Sequence, residues 1–205
     1  MRLSDAISFV RARLDEIAFN QDDMITDMTQ DDRNLDTTVE RLLPEAAEVV
    51  FLSAPAHLLE AEVIETKQNQ YGAVNIVPAE EFLRLVYVKA SDSSIYVSKA
   101  VPFNSPEARM QEDLYTRGTP DAPVLVQGPS DSAYVTEYRY YSMTSTPGSI
   151  KLAYIKKPEI EDGELFCPRL LSEAVFNELT AKVLETYNDQ RAQLFHQKVT
   201  TYLAQ

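Results

Sequence analysis

The chain has 205 residues, 44% hydrophobic and 25% charged, enough for one domain or two modest ones around a real core. No apolar run approaches the ~18 residues of a membrane span; the opening stretch MRLSDAISFVRARLDE lacks a signal-peptide core, so cytoplasmic synthesis is expected, and the lone Cys167 excludes an internal disulfide framework. The net charge of −13 is concentrated in residues 1–65, which hold 15 acids against 5 bases, a field that repels nucleic-acid phosphates and argues against sequence-reading DNA binding.

Glycine and proline punctuate the middle of the chain only. The first Gly is Gly72 and the last Gly163, and every Pro lies between Pro44 and Pro168. Because these residues interrupt regular structure, the pattern predicts helical ends around a turn-rich centre. In the first segment Ser4 is placed to cap a helix that carries Ile7, Val10, Leu14 and Ile17 on one face and ends near Asn20. Residues 21–34 follow as an acidic connection. Their five aspartates lack the central glycine and closing glutamate of a calcium loop, so no metal is expected there. A second helix is predicted from about Asp36 to Ser53, with Val39, Leu42, Leu43, Ala46, Val49 and Val50 as its stripe. Pro44 falls inside it, and the stripe continues in phase across that proline, so a kink or restart is expected rather than an end.

From about Leu59 the period shortens to two. Candidate strands are 60–67, 73–77, 82–89, 95–101, 123–127, 134–141 and 150–156, with a short helix over 105–113. Nine of the eleven tyrosines fall between Tyr71 and Tyr154, a composition suited to pleated, half-buried surfaces. The last segment opens at Pro168. Leu171, Val175, Leu179, Val183 and Tyr187 form one stripe, Asn188–Asp189 marks a break, and Leu194, Phe195, Val199, Tyr202 and Leu203 carry a final helix. The expected fold is α+β: a helical bundle of 1–58 with 164–205, holding an inserted antiparallel sandwich or barrel-like domain at 59–163.

No Walker loop, GxGxxG, HExxH, GxSxG or CxxC motif is present. With only His57 and His196, a zinc site is not expected. Cys167 with His196 is a formal nucleophile–base pair that nothing orients. Glu80, Glu81, Glu159, Glu161 and Asp162 are candidate acid–base carboxylates, though 32 acids make chance pairs plentiful. Arg117–Gly118–Thr119 is either a phosphate grip or a turn whose Arg makes an ion pair or anchors an interface. Tyr134, Tyr138 and Tyr140 share one strand face and Tyr141 the other, as a sugar platform, a core face or a subunit contact. No catalytic, cofactor-binding or metal-binding residue is assigned.

Three stretches carry a resemblance: LDTTVERLLPEAAEVV; FLRLVYVKASD through SPEARMQEDLYTRGTPDAPV; and CPRLLSEAVFNELTAKVLETYNDQRAQLFHQKVTTYL. In the same order they resemble the neck ring, or head-to-tail connector, proteins of crAss-like tailed bacteriophages. RMQ…YTRGTP and TYNDQRAQLF are the most specific parts. The resemblance implies a non-enzymatic structural virion protein without a cofactor. It would form a homo-oligomeric ring of about twelve copies, partnered by the portal and other neck and tail proteins, through which DNA passes without being read. A tail-tube or stopper component and a non-catalytic β-sandwich binding module are the alternatives. Two placements follow as expectations. The helix from Gln190 docks on the portal or a neighbouring copy through Leu194, Phe195, Tyr202 and Leu203. The acidic N-terminal third, with residues 21–36, faces the channel and keeps DNA mobile.

Overall fold

The computed structural model describes residues 1–19, 32–67, 73–78, 80–91, 93–128, 135–142 and 148–204. Helices and strands are both present, so the class is α+β. The chain divides into two compact units, one made of Met1–Leu59 with Pro158–Gln205 and the other of Glu60–Lys157.

Among the described residues the first unit holds four α-helices. Helix α1 (Leu3–Phe19) buries Ala6, Val10 and Leu14, one residue per turn. Ser4 lies inside the first turn rather than at its cap, because Asp5 and Ala6 already donate to the Arg2 carbonyl. Helix α2 (Asp32–Ser53) buries Leu35, Val39, Leu42, Leu43, Ala46, Ala47, Val50 and Phe51. Val49, expected in that stripe, is 39% exposed. Pro44 sits within α2 without ending it. The stripe on both sides of the proline is buried, and that burial offsets the ~3 kcal/mol a helix-interior proline costs.

Two further helices complete the unit: α4 (Ser172–Thr186) and α5 (Ala192–Leu203). Before them, Pro158–Leu165 adds a small hairpin, and Pro106–Met110 of the other unit supplies the short helix α3. Helix α4 is buried on nearly every side, from Ala174 to Leu184, and packs against α1, α2 and α5. A helix buried all round is the centre of its unit rather than a one-faced cover. The Phe9 and Phe176 rings stack with centroids 4.7 Å apart, joining α1 to α4. The chain leaves α4 through Asn188 at φ 56, a left-handed residue that lets Asn188 and Asp189 bond back to Glu185 and Leu184. Asp189 then holds Arg191 and opens α5.

Among the described residues the second unit contains seven strands: β1 (Glu62–Lys67), β2 (Ala73–Pro78), β3 (Phe82–Ala90), β4 (Val101–Pro102), β5 (Val124–Gln127), β6 (Val135–Tyr141) and β7 (Ser149–Lys156). They form two sheets, ordered β1–β7–β3 and β2–β6–β5–β4, antiparallel except for the β4–β5 pair. Side chains of both sheets meet in one core. Val77, Val88, Leu125, Tyr138, Tyr140, Ile150, Leu152 and Tyr154 meet there. Among the described residues no barrel closes, because β1, β3, β2 and β4 remain sheet edges; the barrel-like expectation is corrected accordingly. The strand expected over 95–101 is also reduced. Val97 makes a single reciprocal bridge to Val88 (2.8 and 2.9 Å), and regular pairing returns only at Val101.

The hairpin of the first unit pairs β8 (Ile160–Glu161) with β9 (Glu164–Leu165). Its loop is Asp162 (φ 51) and Gly163 (φ 76), the two positive-φ positions of a tight primed turn. The Met1 amino group donates to the Leu165 carbonyl at 2.8 Å, Leu165 donates back to the Met1 carbonyl, and Leu3 donates to Gly163.

Candidate functional site

Cys167 and His196, the candidate nucleophile–base pair, are each held by other groups. Both ring nitrogens of His196 are taken by carboxylates, Nδ1 by Glu178 and Nε2 by Glu185, each at 2.9 Å. Cys167 Sγ instead meets the Pro168 carbonyl at 3.5 Å. Burial pushes its thiol up to about 11, against Ser172, whose hydrogen bond lowers it, so the sulfur is a poor nucleophile at neutral pH. Glu81 is spent on Lys156 (3.2 Å), which Glu62 also holds (2.9 Å). Glu80 and Glu81 lie in one unit, and Glu159, Glu161 and Asp162 in the other. Among the described residues no group of three or more His, Cys, Asp or Glu side chains is placed to hold a metal ion. Most of the acidic stretch 21–34, and Tyr134, lie outside the described residues; Asp36 pairs with Arg11 at 2.8 Å. None of the described helices is long and apolar enough to cross a membrane.

The tyrosine cluster belongs to the core. Tyr138 and Tyr140 are 3% and 1% exposed, and burial pushes the Tyr138 hydroxyl up to about 12. A sugar platform on that face is therefore excluded by geometry. Tyr141 points the other way and lies 5.6 Å under the Arg117 guanidinium.

Arg117 belongs to a knotted turn. Ser105 caps α3 by accepting from Ala108 N at 3.1 Å. Gln111, 3% exposed, ties the turn together: its amide donates to the Glu107 carbonyl (3.0 Å), its side-chain oxygen accepts from Gly118 N (2.8 Å), and its backbone carbonyl accepts from Arg117 Nε (2.8 Å). Thr116 Oγ1 donates to the Met110 carbonyl at 2.6 Å. Only glycine fits at 118, since a Cβ there would stand 2.5 Å from the Tyr141 carbonyl. The guanidinium is thus part of the scaffold that holds the turn.

What this scaffold presents is apolar. Phe103, Met110 and Leu114 are each half exposed, and Tyr115 is 98% exposed. Among the described residues the tied turn thus holds a large aromatic side chain out in water. In the other unit Phe166, Leu170 and Leu194 are similarly exposed. Of the docking residues expected on the last helix, Leu194 faces solvent and Tyr202 reaches the Leu170 carbonyl at 2.8 Å. Phe195 is 5% exposed and packs inside the unit, so it is corrected from a docking residue to a core residue. The sequence stripe missed this because Leu194 and Phe195 are adjacent and only one can face inward. No family model matches the chain, and no curated protein matches it.

Proposed function

We propose that the chain is a structural virion protein, a subunit of a ring in the neck of a tailed bacteriophage that joins the portal to the tail and extends the DNA channel. The observation that carries this reading is the ordered resemblance of three stretches, spanning α2, the β3-to-β5 region and α4–α5, to crAss-like neck ring proteins. Two features are in keeping with it. Large apolar side chains stand exposed on stiff elements of both units, as subunit contacts require. The residues that resemble the family most specifically, RMQ…YTRGTP, build the tied turn around Gln111. In this reading α1, α2, α4 and α5 are a helical bundle and the two sheets a sandwich inserted into it.

The test is the composition of purified particles of the virus that encodes the chain, measured by quantitative mass spectrometry. A copy number equal to that of the portal, or a small whole multiple, is expected. Absence from the particle, or a copy number like that of the capsid, overturns the reading.

A further inference from the structure

We propose that the tied turn of one copy, led by Tyr115, docks on the apolar row that Leu170, in the segment before α4, forms with Leu194 and Tyr202 of α5 in a second copy. The inference rests on the ring reading and names the contact that would build the ring.

Three observations lead to it. First, the turn is preorganised. The bonds made by Ser105, Gln111, Thr116 and Arg117 fix the backbone before any partner arrives, so little order has to be gained on binding. Tyr115, at 98% exposure with Leu114 beside it, is then an anchor that nothing in its own fold uses.

Second, the opposite surface has the same apolar character. Leu194, Lys198 and Tyr202 follow at spacings of four along α5, and the Tyr202 hydroxyl brings Leu170 to the end of that row. Leu170 is 63% exposed and Leu194 57%.

Third, the charges select the pairing. In a chain of net −13, two copies repel unless the contact is locally attractive. The turn carries exposed Glu107, Glu112 and Asp113 around its apolar tip, with Arg109 the exposed base among them. Phe166–Leu171 and Ala192–Ala204 contain no acid of their own and offer Arg169 and Lys198, while the nearby Glu185 carboxylate of α4 is taken up by His196. Acidic rim against basic rim, with apolar anchors inside, is the arrangement of a specific interface. Because the two surfaces differ, the contact is head-to-tail and can be repeated until rotation closes a ring.

The experiment uses the full chain and sedimentation velocity at increasing concentration. Two double variants are compared with the wild type, one with Leu114→Asp and Tyr115→Asp, the other with Leu170→Asp and Leu194→Asp. All four positions are exposed, and circular dichroism checks that each variant folds. The expected result is that the wild type self-associates, that each variant alone sediments as a monomer, and that an equimolar mixture of the two yields a heterodimer, since one intact turn and one intact face remain. Persistence of wild-type assembly in either variant, failure of the mixture to pair, or a monomeric wild type at the highest attainable concentration overturns the proposal. Particle composition tests the connector reading independently, because a portal can template a ring whose subunits do not associate alone.

Discussion

The His196 clamp between α4 and α5 makes the sharpest stability prediction. A neutral imidazole has one N–H and one lone pair, so it can donate to only one carboxylate. The geometry places a carboxylate oxygen 2.9 Å from each nitrogen, an arrangement that the imidazolium satisfies at both ends. Burial lowers the His196 pKa, but the hydrogen bonds it donates to Glu185 and Glu178 outweigh it and hold the value above the ordinary 6.5. Because the folded-state value is raised, the clamp contributes fully below about 6.5, and its contribution fades as pH rises through the folded-state value. The two arms are unequal. Glu178 has a side chain 4% exposed, so its charged hydrogen bond is worth about 1.5–3 kcal/mol. Glu185, with a side chain 56% exposed, adds less than about 1 kcal/mol after solvent screening. His196→Ala is therefore expected to cost about 2–4 kcal/mol at about pH 5.5 and clearly less at about pH 9. Urea denaturation of the two proteins at both pH values reads the difference. With two histidines in the chain, a His57 variant assigns the ring resonances, and the native His196 signal is expected to titrate above 6.5. A variant equally destabilised at both pH values, or a native resonance titrating below 6.5, refutes the clamp.

Two further outcomes follow from close contacts. Gly118→Ala sets a Cβ 2.5 Å from the Tyr141 carbonyl and 2.9 Å from Val124 N, both backbone atoms that cannot swing aside. A loss of about 1–3 kcal/mol is expected in thermal or denaturant unfolding, and an unchanged midpoint would mean the turn is looser than described. Cys167, with its thiol pushed up to about 11, is expected to react with iodoacetamide at about pH 7.5 at least tenfold more slowly than a free thiol of ordinary pKa. Labelling at the free-thiol rate contradicts that environment.

The elements that were legible in the sequence are those whose burial has a period. The stripe of α2 runs through Pro44 because Leu42, Leu43, Ala46 and Ala47 keep one phase. The alternation of Tyr138, Tyr140 and Tyr141 sorted core from surface on β6, and the positive-φ bend at Asn188 fell where Asn188–Asp189 marked a break. Non-local facts were not legible. That β7 lies between β1 and β3 depends on residues far apart in sequence, such as Glu62 opposite Tyr154, and no local pattern encodes it. The β8–β9 hairpin did carry a signal, the Asp162–Gly163 pair, but one reading took Asp162 as a possible catalytic acid rather than as the turn residue it is. The tied turn was half visible. Arg117 was recognisable as a turn residue, while the role of Gln111 needs the fold, since nothing in RMQE distinguishes a buried glutamine from a solvated one.

One unit is continuous in sequence and the other is assembled from its two flanks, with about a hundred residues between them. On a ribosome adding about 5–20 residues per second, α2 waits roughly 6–25 seconds for α4, the helix its apolar face packs against. During that interval α2 lacks α4, one of the two helices it packs against, and residues 1–65 carry 15 acids against 5 bases, so like charge sets one nascent chain against the next. The acidity of the leading third is thus expected to act on the half-built fold as well as on the finished one, keeping nascent chains apart while the intervening sheets are made.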